Sequence, residues 1–270
     1  MIANKIAEFL IRRAVAMHSI KQKDLANWEP WSGCKQVSEA CKNCYYYSQH
    51  ALRFEKGSVQ KTEDFYKPIS RISSGKFVAT CFMTDFFIED ADEFRSEAWS
   101  IIKKRTDLTF IILTKRIERV KQCLPNDWAD GYDNVILGCT IENQKRADQR
   151  LPIFIDIPIK YKFISCVPLL EKIDLSMYLD KIKFVTLGGE IGKNARLCDY
   201  DWIVNIRDQC IQHNATFWFK NSGSKLKHNG KIKKIHPIFQ NYFAKKSNIN
   251  VIQVENLNLK MSFEQGKEIL

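Results

Sequence analysis

From Lys76 onward, short apolar runs alternate with stretches whose apolar residues recur at helical spacing. Lys76–Phe82 is rich in strand formers. Asp90–Arg105 then carries Phe94, Ala98, Ile101 and Ile102 on one stripe between charges, the pattern of an amphipathic helix. The alternation continues with predicted strands at Thr109–Leu113, Asn134–Thr140, Lys162–Cys166, Lys183–Leu187 and Thr216–Phe219. Helices are predicted between them at Lys115–Cys123, Gln144–Phe154, near Asp174–Leu179 and at Asp201–Gln212. Leu25–Trp28 reads as a short opening strand and Tyr45–Glu55 as a helix.

Strands that are apolar nearly throughout and separated by helices imply a parallel sheet covered on both faces. About seven strand–helix steps predict an α/β fold, a full or partial (β/α) barrel of the TIM type, with a doubly wound open sheet as the alternative. Residues 24–223 make up the barrel, 1–23 an N-terminal amphipathic helix packed on it, and 224–270 a basic C-terminal extension. Barrel chemistry gathers at the carboxyl ends of the strands. Here those ends are polar: Thr84 and Asp85, then Thr114, Lys115 and Arg116, then Thr140, Glu142 and Asn143, then Ser165, then Gly188, Gly189 and Glu190, and finally Lys220 and Asn221.

Composition narrows the class. The 270 residues are 45% hydrophobic and 27% charged, which suits a globular domain with an ample core. No apolar run reaches membrane-spanning length, so no membrane partner is expected. Met1–Ile20 is interrupted by Lys5, Glu8, Arg12 and Arg13 and lacks a signal-peptide core, so a cytoplasmic location is expected. Nine mostly dispersed cysteines argue against a disulfide framework, and Cys81, Cys139 and Cys166 fall in strand-like core positions. A net charge of +11 favours polyanionic partners, DNA or RNA first. The extension crowds Lys225, Lys227, Lys231, Lys233, Lys234, Lys245 and Lys246 around Phe239, Tyr242 and Phe243. Such a stretch either tracks phosphates and stacks bases, or is a solvated tail whose aromatics pack back on the barrel.

The most informative chemistry is Cys34, Cys41 and Cys44, three thiols within eleven residues of a glycine-bearing loop. Thiolates are soft ligands for iron–sulfur clusters or zinc. Three of them leave one corner of a four-iron cluster open to a small molecule such as S-adenosylmethionine, although the first gap is longer than is usual for that chemistry. Zinc with His50 as fourth ligand is an alternative set, and three unligated thiols a further one.

The chain resembles a phage-associated, radical-SAM-like three-cysteine family. The landmarks run in order: Trp28-Glu29-Pro30-Trp31-Ser32-Gly33-Cys34 with Cys41, Asn43, Cys44 and Tyr45; Met83-Thr84-Asp85-Phe86-Phe87; and Leu113-Thr114-Lys115-Arg116. They continue with Leu137-Gly138-Cys139-Thr140-Ile141-Glu142-Asn143-Gln144; Phe163-Ile164-Ser165 with Pro168; Gly188-Gly189-Glu190 with Gly192 and Arg196; and Phe217 to Lys220. The resemblance covers about residues 24–223. It implies a radical-SAM-type barrel, a [4Fe-4S] cluster on Cys34, Cys41 and Cys44, and S-adenosylmethionine as co-substrate cleaved to a 5′-deoxyadenosyl radical. An electron donor such as flavodoxin or ferredoxin is implied with it, whereas a reaction is not. The chain departs from the family pattern at Val167, where a carboxylate is lost, at Ile191 and at Asn221.

With the resemblance in place, roles can be assigned as expectations. Asp85 and its neighbour Thr84 would meet the methionyl amine, and Lys115 or Arg116 the methionyl carboxylate. Glu142 and Asn143 would meet the ribose or adenine, with Ser165 at the next strand end. Gly188 and Gly189 would let the main chain approach the ligand. Glu142, Glu190 and Lys220 are the catalytic candidates, with Lys220 expected to be buried and paired with Glu190 or Glu142. The substrate would be a nucleic-acid base or sugar. Two other functions fit the residues: a zinc-stabilised nucleic-acid-binding module, and a regulatory protein that keeps the cluster without turnover.

Overall fold

In a computed structural model, residues 22–50 and 58–253 are described. Twelve strands run in chain order: β1 (Leu25–Trp28), β2 (Trp31–Ser32), β3 (Gln60–Lys61), β4 (Phe77–Thr80), β5 (Thr109–Thr114), β6 (Val135–Thr140), β7 (Lys162–Cys166), β8 (Phe184–Gly188), β9 (Cys198–Asp199), β10 (Thr216–Asn221), β11 (Lys225–His228) and β12 (Lys231–Lys234). Seven of them form one sheet in the order β1-β4-β5-β6-β7-β8-β10, each pair parallel. The order follows the sequence without reversal, so the sheet has no switch point and is not doubly wound. Nor is it a closed barrel, since β1 and β10 are not paired among the described residues. Residues of β1, β4, β5, β7, β8 and β10 nevertheless line one shared cavity, so the sheet is curled into a half-barrel.

Both faces of the sheet are apolar, which is why β5 reads as an almost unbroken hydrophobic run. Phe110, Ile112, Leu137, Ile164 and Val185 face the helices and belong to the large core. Ile111, Ile136, Phe163 and Phe184 alternate with them and form a smaller cluster on the concave face. Gly138 sits in that concave row, opposite Phe163 in register. A Cβ there would lie 2.2 Å from the Phe163 ring, so the ring occupies the place of the missing side chain.

The helix Asp92–Lys104 carries acids in its first turn and lysines in its last, matching the helix dipole, and buries Ala98, Trp99, Ile101 and Ile102. The helices Gln144–Ile155 and Tyr200–Gln212 also lie where their periodicity places them. Two predicted helices do not form. After β5 the chain makes only the short turns Ile117–Arg119 and Lys121–Cys123, because Pro125 leaves too few residues to offset the cost of starting a regular helix. Near Asp174, the carboxylate accepts from the Ser176 N–H and hydroxyl, a local turn that competes with helix. The helix predicted from Tyr45 is described as Tyr45–His50. The expected N-terminal helix lies outside the described residues.

The basic segment after Gly223 is described as far as residue 253. β11 and β12 form a hairpin whose Asn229–Gly230 turn has φ of 52° and 69°, the left-handed pair that two-residue hairpins favour. The helix Pro237–Lys246 buries Gln240 and Ala244, and Val251 bridges to Phe217 on the edge strand β10. Phe243 packs back against Tyr200, whereas Phe239 and Tyr242 remain exposed.

Candidate metal centre and active-site cavity

Gly33 turns the chain out of β2 into the cysteine loop. It has φ of 93°, and a Cβ on it would lie 1.8 Å from the Ser58 main-chain oxygen, so only glycine fits. Three consecutive tyrosines anchor the far end of the loop. Tyr47 donates to the Cys34 carbonyl at 2.8 Å, the Tyr46 oxygen accepts from the Gly33 N–H at 2.8 Å, and Tyr45 donates to the Phe82 carbonyl at the end of β4. The loop is also tied to the segments that follow four separate strands, β4, β5, β6 and β8. Lys35 pairs with Asp90 at 2.7 Å, and its carbonyl accepts from Arg116 at 2.9 Å. Glu39 pairs with Arg146 at 2.9 Å, and Asn43 donates to Glu190 at 3.0 Å. The loop is therefore held across the carboxyl-end face of the sheet.

This places Cys34, Cys41 and Cys44 in the wall of one cavity of about 400 Å³ at the strand ends. Thr84, Asp85, Lys115, Arg116, Ser165 and Lys220 line the same cavity, and Phe163, Trp218, Phe82 and Met83 give it an apolar side. A cavity of this size and mixed lining suits a nucleoside-sized ligand. Burial pushes the Cys34 thiol up to about 12; the Asp85 charge adds to the rise, while Arg116 and Lys115 oppose it. Burial raises the Cys44 thiol as well. As free groups these two thiols are protonated at neutral pH, so any metal must displace their protons on binding.

The donor set fits a cluster with one open corner. Three cysteines face one cavity, and its described lining contains no fourth cysteine or histidine. Among the described residues no three His, Cys, Asp or Glu side chains converge closely enough to hold a single ion. The His50 side chain, the fourth ligand of the zinc alternative, lies outside the described residues.

Several expected roles are redirected. Asp85 lines the cavity but is saturated from within: Thr114 Oγ1, the Lys115 N–H and the Phe87 N–H donate to it at 2.7, 3.0 and 3.0 Å, and Arg116 pairs with it at 3.2 Å. It locks the β4 and β5 ends together. Asn143 caps the helix Gln144–Ile155 by accepting from the Arg146 N–H, and Glu142 is fully buried against Arg150 at 2.8 Å. Neither lines the cavity. Gly188 and Gly189 allow a close main-chain approach, but to Asn221 and Ser222 of the neighbouring strand end, 2.6 and 2.5 Å from their absent Cβ positions. Glu190 is occupied by Arg196 and Asn43, so it positions the cysteine loop and is not a free base.

Lys220 is not paired with Glu190 or Glu142, since both carboxylates are taken by arginines. It stands in the cavity open to solvent at the mouth, with protein around it, and loss of surrounding water lowers its ammonium pKa. Thr186 Oγ1 in the same wall is buried without a partner among the described residues. Glu29, which directly succeeds β1, was not among the residues expected from sequence. It accepts from the Met83 N–H and Thr84 Oγ1, both at 3.0 Å, and burial raises its carboxyl to about 7. Its place at the end of a parallel strand was the available signal.

A family model described as "Protein of unknown function (DUF5131)" matches residues 19–258. The chain has no significant match among curated proteins or solved structures.

Proposed function

The chain belongs to this family of unknown function, and we propose that it works as a radical-SAM-type iron–sulfur enzyme. The observation that carries this reading is the meeting of Cys34, Cys41 and Cys44 in the wall of one cavity at the carboxyl ends of a half-barrel sheet. Cys34, Cys41 and Cys44 would hold a [4Fe-4S] cluster there, and once reduced by an external donor it would supply the electron for reductive cleavage of S-adenosylmethionine.

The chain's own residues prepare that site. The tyrosines and Arg116 hold the loop so that the three thiols face inward. Lys115 and Lys220 bring positive charge to the cavity for a carboxylate, and neither has a carboxylate partner among the ion pairs of the described residues. Thr186 and Ser165 offer hydroxyls on neighbouring strands in register, suited to ribose or amine groups. Phe163 and Trp218 form a flat apolar wall suited to a base. The absent carboxylate at Val167 leaves an apolar side chain in the same wall, which favours a substrate face that needs no charge there.

The test is anaerobic purification with iron and sulfide analysis, then addition of dithionite and S-adenosylmethionine and assay for 5′-deoxyadenosine. Brown protein that forms this product is expected, with both properties lost in Cys41→Ala. Colourless protein holding about one zinc and forming no product sinks the reading in favour of a structural zinc site.

A further inference from the structure

Between Asp208 and Glu255 the chain has eight lysines and no carboxylate side chain. A solvated surface ordinarily mixes both signs, and a folded ribbon gains nothing from lysines alone. Among the ion pairs of the described residues, only Lys227 of the hairpin takes a partner, Asp199 at 2.8 Å. Lys225 stands directly across the ladder from Lys234, a like-charge pair that works against the hairpin, and Lys231 and Lys233 extend the positive edge. The four residues Lys231–Lys234 are all exposed.

The helix Pro237–Lys246 adds a second kind of surface. Gln240 and Ala244 face the protein, while Ile238, Phe239 and Tyr242 are more than half exposed. Lys246 reaches over the Tyr242 ring at 5.6 Å. Exposed rings beside unpaired lysines match the two parts of a nucleic-acid strand, its bases and its phosphates. A membrane surface or an acidic protein would use the charges but has no flat bases to set against the rings.

This platform is joined to the candidate active site. β11 begins five residues after Lys220. Gln240 of the helix donates to Ser224 Oγ at 2.9 Å, and the Ser224 N–H donates to the Glu190 carbonyl at 2.8 Å. Glu190 in turn holds Asn43 of the cysteine loop.

We propose that the β11–β12 hairpin and the Phe239/Tyr242 face of the helix Pro237–Lys246 bind single-stranded nucleic acid and present it to the cavity. As a binding surface the proposal stands alone; as the delivery of a substrate it rests on the function proposed above.

The test titrates the full-length chain against fluorescein-labelled oligothymidine over a range of salt concentrations. Tight, salt-dependent binding is expected. Replacing Lys225, Lys231, Lys233 and Lys234 together by alanine should flatten the plot of log affinity against log salt by about 0.7 for each phosphate no longer neutralised. Phe239→Ala combined with Tyr242→Ala should weaken binding by roughly tenfold or more and leave that slope unchanged. Circular dichroism checks that both variants fold. No oligothymidine binding by the intact chain, or an unchanged slope in the lysine variant, overturns the proposal. Stronger binding of a duplex, or of phosphatidylserine vesicles, also overturns it. The same titration on Cys41→Ala separates the two readings, since the strand should still bind there whether or not the cavity carries radical chemistry.

Discussion

Glu190 and Asn43 lie 147 residues apart in sequence, yet the carboxylate after β8 accepts a 3.0 Å hydrogen bond from the side chain in the cysteine loop. The same carboxylate takes the Arg196 N–H at 2.7 Å and the Arg196 guanidinium, and Arg196 also donates to the Glu39 carbonyl at 3.0 Å. Glu190 thus controls where Cys41 and Cys44 sit without reaching the cavity itself.

Glu190→Gln should therefore weaken the loop before it weakens the fold. The amide keeps the volume but loses the charge-assisted bonds to Arg196, a cost of about 1–3 kcal/mol. Anaerobic reconstitution should give a lower iron content per chain than the parent, while circular dichroism stays unchanged. Full iron loading in this variant would show that the loop is placed without Glu190.

Gly33→Ala tests the entry to the loop more severely. A methyl group 1.8 Å from the Ser58 oxygen cannot be accommodated unless the main chain moves, and φ of 93° is strained for alanine. We expect a loss of several kcal/mol in urea unfolding, in line with strain combined with overlap, and displacement of Cys34 from its place in the loop. Wild-type stability would mean that residue 58 yields freely.

The sheet was legible from the chain because its central strands β5, β6 and β8 are buried nearly throughout and the breaks between them are marked by polar residues. The alternation could not show whether the sheet closes, since closure depends on whether β1 meets β10 and leaves no local trace. The three cysteines were equally plain, whereas the partners of the polar strand-end residues were not. Asp85 was expected to meet a ligand and Glu142 or Glu190 to pair with Lys220, yet each takes an arginine that only folding supplies: Arg116, Arg150 and Arg196. Lys220 showed the converse, a lysine expected to be paired whose candidate partners are already occupied.

Lys220→Met is predicted to separate binding from stability. The ammonium sits in a cavity where loss of water already disfavours its charge, and among the described residues no carboxylate pairs with it to offset that cost. The melting temperature should stay level or rise, and affinity for S-adenosylmethionine by calorimetry should fall by roughly tenfold or more as one charge-assisted hydrogen bond is removed. Unchanged affinity would show that Lys220 does not touch the ligand.

Glu29 gives the fold a pH dependence of unusual sign for a carboxylate. Burial outweighs the hydrogen bonds from Met83 and Thr84 and raises its pKa from 4.5 to about 7. Between those values the folded chain keeps a proton that the unfolded chain has released. Folding then takes up a proton, and stability falls as pH rises. The contribution is complete below pH 4.5 and lost once pH passes about 7. Glu29→Gln carries a neutral group of the same size at every pH and should abolish this slope. Parent and variant should match below pH 4.5, diverge between there and about pH 7, and the variant should be the more stable above pH 7, by a difference on the order of 3 kcal/mol at most. Urea midpoints measured across this range decide it: curves that stay parallel would show that Glu29 keeps its ordinary pKa in the folded protein.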